Sequence, residues 1–337
     1  MRLTLPLPSL GRRRQSATNG RGNQNVPTNG EGPLFTEDLL ARLRRMTVVS
    51  SRTIAEGLTG EHRSKRRGSS PEFSDFKSYS QGDDYRRIDW NIYARLDEVF
   101  VRLSEITTEL TVHVLLDASN SMDWRGEEGL PTKFRYARQI AGALCYVSLW
   151  HFDRVVITPF GRELGQSFGP SHGRAHVVPM LTYLTRLEPL GETDLPSALE
   201  RYVRARRRPG IILLISDLLS GDPGQIEDGL RLLRSRGWQT VVLHVVDEAE
   251  LSPASVVAGG LGGQAQQTEL IEVEIGDRLR LTPTTRVLER YEEAIGAWLA
   301  EIEHACNAEH VDYLRLQTNW PVESIVLRLL HGRGLVA

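Results

Sequence analysis

Five short apolar runs constrain this chain most: Val112–Leu116, Val155–Phe160, Ile211–Ser216, Thr240–Val246 and Tyr313–Gln317. Between and after them the apolar residues recur at helical spacing, near Phe134–Trp150, Ala175–Thr185, Leu195–Arg206, Gln225–Arg236, Thr285–Ala308 and Val322–Leu330. Continuous apolar runs that alternate with helical patterns imply parallel strands joined by crossover helices. The expected fold class is therefore α/β, a mostly parallel sheet flanked by helices, over residues 110–337. The long stretch Thr285–Ala308 carries Leu288, Tyr291, Ile295, Trp298, Leu299 and Ile302 along one side, as a helix packed on the sheet would.

The ends of these runs carry oxygen ligands. Asp117-Ala118-Ser119-Asn120-Ser121 follows the first run directly. In an extended turn, residues two apart point the same way, so Asp117, Ser119 and Ser121 can converge on one point. A carboxylate with two hydroxyls suits a hard cation such as Mg²⁺, which takes oxygen at about 2.0–2.1 Å and keeps several waters. Taken alone, Asp-x-Ser-x-Ser also describes a turn whose side chains bond their own backbone. Two further segments add oxygens: Gly191-Glu192-Thr193-Asp194 before the helical stretch at Leu195, and Asp217 at the end of Ile211–Ser216. In an open parallel sheet, ligands bind outside the carboxyl ends of the strands, where distant loops meet.

The order and spacing of these segments resemble the von Willebrand factor A-like domain, a Rossmann-like fold, and its metal-ion-dependent adhesion site. By motif position, Asp117, Ser119 and Ser121 match the first loop of that site, Thr193 the second and Asp217 the third. The resemblance implies that the serines and the threonine touch a metal directly, that the aspartates act through water, and that a partner's carboxylate completes the shell. Upstream, Glu72-Phe73-Ser74-Asp75-Phe76-Lys77-Ser78-Tyr79 through Gly82-Asp83-Asp84-Tyr85-Arg86-Arg87-Ile88-Asp89-Trp90, then Ala94-Arg95 and Val99-Phe100-Val101-Arg102, is similar to the signature of bacterial proteins carrying the domain of unknown function 58. That resemblance implies a MoxR-type AAA+ ATPase as partner.

Composition narrows the function classes. At 337 residues, with 40% hydrophobic and 25% charged content, the chain can hold one large domain and an accessory one. A net charge of −2 gives no global field toward nucleic acid or an anionic membrane. Of 41 basic residues only Lys65, Lys77 and Lys133 are lysine. Cys145 and Cys306 lack the spacing of a zinc site or the density of a disulfide scaffold, so both are expected reduced. No stretch approaches the ~20 apolar residues of a membrane span. The start, Met1–Leu10 followed by Arg12-Arg13-Arg14, reverses the order of a secretory signal, and a cytoplasmic location is expected.

The domain organisation expected is a disordered tail over 1–33, an accessory segment over 34–109 carrying the signature, and the main domain over 110–337 with an insertion at 253–284. A short helix opens the fold between Leu34 and Arg45, with Thr36 as its N-cap. The basic stretch Gly57–Ser70 is expected to be a solvated loop. The signature reads as short strands and turns, with Gly82-Asp83-Asp84 in a turn and an Asp–Arg network around a buried Trp90. Within the insertion, Pro253–Gln267 reads as a loop before a strand pair, Leu270–Ile275 and Arg278–Leu281, turning at Gly276-Asp277.

These readings converge on a metal-dependent protein-interaction module, with Mg²⁺ as cofactor and Mn²⁺ or Ca²⁺ as alternatives, that binds an Asp or Glu of a protein partner. A Mg²⁺-dependent hydrolase and a scaffold with a vestigial metal site compete with it. Against an enzyme stands the lack of a Gly-x-x-x-x-Gly-Lys-Ser/Thr loop, a Gly-x-Gly-x-x-Gly motif after the first strand, and a Gly-x-Ser-x-Gly elbow.

Overall fold

The computed structural model describes residues 33–45, 73–80, 85, 88–104, 111–127, 129–151, 153–189, 191–206, 208–219, 222–252, 268–271, 278–281 and 285–332. The expected tail up to residue 32, the Gly57–Ser70 loop, the turn at Gly82-Asp83-Asp84, Arg86, Arg87, all of Pro253–Gln267 and the Gly276-Asp277 turn lie outside these residues. The chain divides into two compact units, one of Met1–Glu56 with Leu110–Ala337 and one of Gly57–Glu109.

In the larger unit, helix α1 spans residues 37–45. In the smaller unit come β1 (Phe73–Ser78), α2 (Trp90–Leu96) and β2 (Phe100–Ser104). The larger unit resumes with β3 (Thr111–Asp117), α3 (Lys133–Trp150), β4 (Arg154–Phe160), β5 (Phe168–His172), α4 (Val177–Arg186), α5 (Leu195–Ala205) and β6 (Ile211–Ser216). It continues with α6 (Pro223–Ser235), β7 (Gln239–Val246), α7 (Glu248–Leu251), the antiparallel pair β8 (Thr268–Ile271) and β9 (Arg278–Leu281), α8 (Thr285–Ala308), β10 (Asp312–Gln317) and α9 (Val322–Gly332).

Six strands form one sheet in the order β10-β7-β6-β3-β4-β5, parallel throughout except that β5 runs antiparallel to β4. Counted along the chain this is the doubly wound order 3-2-1-4-5-6. The α/β class and the mostly parallel sheet flanked by helices match the sequence expectation, and five of the six strands fall on the five apolar runs. The sixth, β5, was not anticipated. Its sequence, Phe-Gly-Pro-Ser-His, has no apolar run because it pairs on one side only and leaves Gly169 and Pro170 exposed.

The central strands are apolar at nearly every position because both faces of the sheet are covered. Val112, Val114 and Leu116 of β3, with Ile211, Leu213 and Ile215 of β6, join the core formed with α1, α3, α4 and α9. Leu115, Ile212 and Leu214 join the opposite core, formed with α5, α6 and α8. The 2-residue period thus divides one apolar run between two cores.

Residues 34–45 do not belong with the accessory segment as expected. Leu34, Leu39 and Leu43 are buried in the same core as α3, where Gln139 Nε2 donates to the Leu34 carbonyl at 2.9 Å. A Cβ on Gly142, within α3, would stand 2.4 Å from the ring of Phe35, so the close approach of the N-terminal segment requires glycine there.

In the smaller unit, β1 and β2 pair antiparallel, with a register shift between Phe73 and Asp75. The segment read as strands and turns contains helix α2, which Asp89 starts by accepting hydrogen bonds from the backbone N–H groups of Asn91 (2.9 Å) and Ile92 (3.3 Å). The signal was an Asp cap ahead of a seven-residue run, too short for helical periodicity to register. Trp90 is not buried as expected: it is 63% exposed, edge-on to Tyr93 at 6.1 Å between ring centroids, while Asp89 is the residue that is buried.

On the α5/α6 side of the sheet, His113 is buried between Tyr202 and Trp238, with its Nδ1 2.7 Å from the Tyr202 hydroxyl. Burial, helped by the charge of Arg206, lowers its pKa from 6.5 to about 4. The unfolded chain therefore takes up a proton below pH ~6.5 that the fold resists, and stability falls as pH drops from about 6.5 to 4. His113→Asn, which cannot ionise and keeps a polar atom near Nδ1, is expected to flatten that decline by up to about 1.4 kcal/mol per pH unit. Urea unfolding of both proteins at several pH values between 4 and 8 measures this, and parallel curves would count against it.

Candidate metal site

In a doubly wound sheet the crevice opens where the chain, having wound outward on one side of its first strand, crosses back to the other. Here that switch point lies between β3 and β6, the strands that end at Asp117 and Ser216-Asp217. Three loops supply the five residues singled out in the sequence: two follow the ends of β3 and β6, and the one bearing Thr193, expected at a strand end, joins α4 to α5.

The first loop leaves β3 at Asp117, which is fully buried. Its Oδ1 accepts the Ser119 backbone N–H at 2.9 Å and its Oδ2 accepts the Ser216 hydroxyl at 2.5 Å. Ser119 and Ser121, both buried, lie with their Oγ atoms 2.9 Å apart, and a short 3₁₀ turn at Asn120–Asp123 carries the chain onward. The turn reading of Asp-x-Ser-x-Ser holds, since Asp117 bonds its own loop backbone, and of the three side chains expected to converge the two hydroxyls meet.

The second loop is joined to the first through the backbone, since Asn120 N–H donates to the Gly191 carbonyl at 2.7 Å. Gly191 has φ of +90°, a conformation that side chains with a Cβ rarely adopt. Two residues on, the Thr193 hydroxyl is buried without a hydrogen-bond partner. Asp194 accepts from Ser197 N–H at 3.1 Å and caps α5, so it serves the helix that follows.

The third loop follows β6. Asp217 is buried, and its Oδ1 accepts the Leu219 N–H at 3.2 Å. Leu218, between them, is fully buried at φ of +52°, a left-handed conformation that costs a non-glycine residue about 1–2 kcal/mol. Ser216 holds it there: its Oγ accepts the Leu218 N–H at 2.9 Å while donating to Asp117. Strain of this kind clusters at functional sites.

Sequence reasoning missed the cation beside Asp217. Lys133, the first residue of α3, is completely buried and donates to Asp217 Oδ2 at 2.8 Å and to Glu250 Oε1 at 2.6 Å. Burial alone would lower the ammonium's pKa, but the two carboxylates outweigh it and hold Lys133 above its ordinary value. Glu250 lies in α7, where Asp247 makes a capping box with it and also accepts the Thr318 hydroxyl at 2.9 Å. The available signal was a lysine opening an apolar helix in an arginine-rich chain. On the far side of Asp217, His244 Nε2 lies 2.8 Å from the Asp217 carbonyl oxygen and its Nδ1 2.7 Å from the Tyr313 hydroxyl. A carbonyl only accepts, so the proton sits on Nε2 and Nδ1 accepts from Tyr313.

Among the described residues no cation pairs with Asp117 in this way. Burial, and after it the charge of Asp217, push its carboxyl up to about 7, against the hydrogen bonds from Ser216 and Ser119. Among the described residues no cluster of three His, Cys, Asp or Glu side chains could hold a metal, so any ion here depends on hydroxyls. The donor set fits one. Two oxygens in adjacent positions around an octahedral Mg²⁺ at about 2.1 Å lie about 3 Å apart, and the serine oxygens are 2.9 Å apart. The partnerless Thr193 hydroxyl is a further donor oxygen that protein groups leave unused.

Fold and cluster together define a doubly wound α/β domain with a hydroxyl-rich polar site at its switch point. The chain belongs to the family described as protein of unknown function DUF58, whose model matches residues 75–291. Uncharacterized proteins of Mycobacterium bovis and Mycobacterium tuberculosis are 26% identical to it over 228 residues, covering 67% of this chain and 70% of theirs. Among solved structures it is similar to the conserved hypothetical protein BatB from Bacteroides thetaiotaomicron, at 15% identity and a TM-score of 0.40 over 66% of this chain and 98% of that one. It is also similar to the SpRpn10 VWA domain, at 9% identity and a TM-score of 0.38 over 66% and 95% of the two chains.

Removing one partner of a buried ion pair leaves a charge without compensation. Lys133→Met is accordingly expected to destabilise the chain by about 3–5 kcal/mol. Adding Glu250→Gln should recover about 1–3 kcal/mol, because one of the stranded carboxylates goes with it. Guanidinium unfolding of the four proteins in this cycle measures both, and strictly additive losses would show that the triad does not act as a unit.

Proposed function

We propose that the rim formed by Asp117, Ser119, Ser121, Thr193 and Asp217 is a divalent-cation-dependent docking site for a protein partner, which contributes an Asp or Glu carboxylate. The observation that carries this reading is the meeting of the Ser119 and Ser121 hydroxyls 2.9 Å apart in a loop tied to the one bearing the partnerless Thr193 hydroxyl. The ion is Mg²⁺ in this reading, with Mn²⁺ or Ca²⁺ as substitutes. When bound, it supplies positive charge that neutral hydroxyls leave under-compensated and thus open to an incoming anion. Ser119, Ser121 and Thr193 would hold it, Asp117 would supply the negative charge, and Ser216 keeps Asp117 in place.

Binding is favoured over turnover by what surrounds the cluster. The histidine beside it, His244, has both ring nitrogens engaged, and burial lowers its pKa to about 4, so it is poorly suited to serve as a general base. The partner in this proposal is a MoxR-type AAA+ ATPase, on the strength of the family signature. A cytoplasmic setting fits the two free, buried cysteines, and no helix among the described residues is long and apolar enough to cross a membrane.

A calorimetric titration with Mn²⁺ is expected to show one site per chain, abolished by Ser119→Ala combined with Ser121→Ala while the circular dichroism spectrum is unchanged. Association with the ATPase should be lost in EDTA and restored by Mg²⁺. Association that survives both EDTA and the double substitution would refute the proposal.

A further inference from the structure

Lys133 stands apart from the other basic residues in two respects. The chain uses lysine at only three of 41 basic positions, and this lysine is completely buried, 5.8 Å from the centroid of the Trp124 ring. An arginine would bring a wide planar fork, whereas an ammonium is a compact charge able to sit between two carboxylates. It does so here, 2.8 Å from Asp217 and 2.6 Å from Glu250. Both oxygens of Asp217 consequently carry a donor, Lys133 Nζ on Oδ2 and Leu219 N–H on Oδ1. Asp117 also has both oxygens hydrogen-bonded, but its donors are a neutral hydroxyl and a backbone N–H. One aspartate shares an ammonium with Glu250, and the other is bonded by neutral donors.

We infer that Lys133 is a resident counter-cation that sets how the site takes up a divalent ion. It offsets part of the charge of Asp217, keeps that carboxylate out of direct coordination, and leaves Asp117 as the carboxylate that attracts the ion to the hydroxyls of Ser119, Ser121 and Thr193. The inference rests on the metal-dependent docking reading and specifies it. An ion bound there is weakly held and weakly neutralised, which keeps it receptive to a partner's carboxylate. The rim also stands without the ion, because an ammonium already bonds Asp217 and Glu250. Lys133 is therefore a positioning residue, acting on the ion through Asp217.

The test is a Mn²⁺ titration of the full chain, followed by calorimetry and by electron paramagnetic resonance of free Mn²⁺, with melting curves recorded with and without the ion. Four proteins are compared: wild type, Asp117→Asn, Asp217→Asn, and Lys133→Met combined with Glu250→Gln. The last loses one positive and one negative charge, so its net charge equals that of wild type and any change in affinity reports the release of Asp217. Asp117→Asn is expected to lose Mn²⁺ binding, and Asp217→Asn to lose less than the ~10-fold at the low end for an outer-shell partner. The double variant should bind Mn²⁺ about tenfold more tightly and gain more thermal stability from it than wild type does. Asp217→Asn falling as far as Asp117→Asn, or a folded double variant with wild-type affinity, overturns the inference; if the double variant does not fold, Asp217→Asn decides. Wild type that binds no Mn²⁺ would instead bring down the docking reading itself, and this inference with it.

Discussion

Burial of β3 and β6 on both faces is the constraint from which the rest of the main unit follows. A strand covered above and below disfavours a charged side chain, so the carboxylates collect where it ends. In a parallel sheet those ends lie on one edge, and the doubly wound order opens a crevice between these two strands. Asp117 and Asp217 lie where the strands run out, and the loops beyond them are held by hydrogen bonds from Ser216, Ser119 and Asn120. The site is thus the first place along these strands where the protein can carry charge.

Two like charges this deep need an opposing one, and the fold provides it from a third element. Lys133 reaches the cluster from the start of α3, and Glu250 meets it from α7. The beginning of a helix, the end of a strand and a four-residue helix are thereby joined by one ammonium. Buried ion pairs are weak as net stabilisers but sensitive to the loss of one member. That sensitivity makes the triad a means of fixing geometry, and the geometry fixed here is that of Asp217.

Much of this was readable from residue patterns, for identifiable reasons. The strand runs were apparent because burial on both faces makes them continuously apolar, and β6 occupies Ile211–Ser216 as expected. Helix α8 likewise occupies Thr285–Ala308, because 24 residues give the helical period room to show. Short or one-sided elements escaped: β5 contains Gly169 and Pro170 and pairs along one edge, and α2 is seven residues long. Of the site, Asp117, Ser119 and Ser121 were found by their alternation. Ser216 and Lys133 were not, because their roles depend on neighbours 99 and 84 residues away in the chain. Trp90 was misread because aromatic character suggested a core, whereas its helix leaves it mostly in solvent.

The packing of Phe35 against Gly142 has a topological consequence. With residues 34–45 seated in the main core, the chain leaves that body after α1 and returns to it at β3. The unit of Gly57–Glu109 is therefore an insertion fastened at both ends, and not an appendage hung from one. Looping out a folded unit between two fixed points costs little extra as the unit lengthens, since closure entropy grows only logarithmically. What that arrangement requires is that the first fastening hold. A methyl group at position 142 would contest the space of the Phe35 ring, one of the contacts that make this fastening.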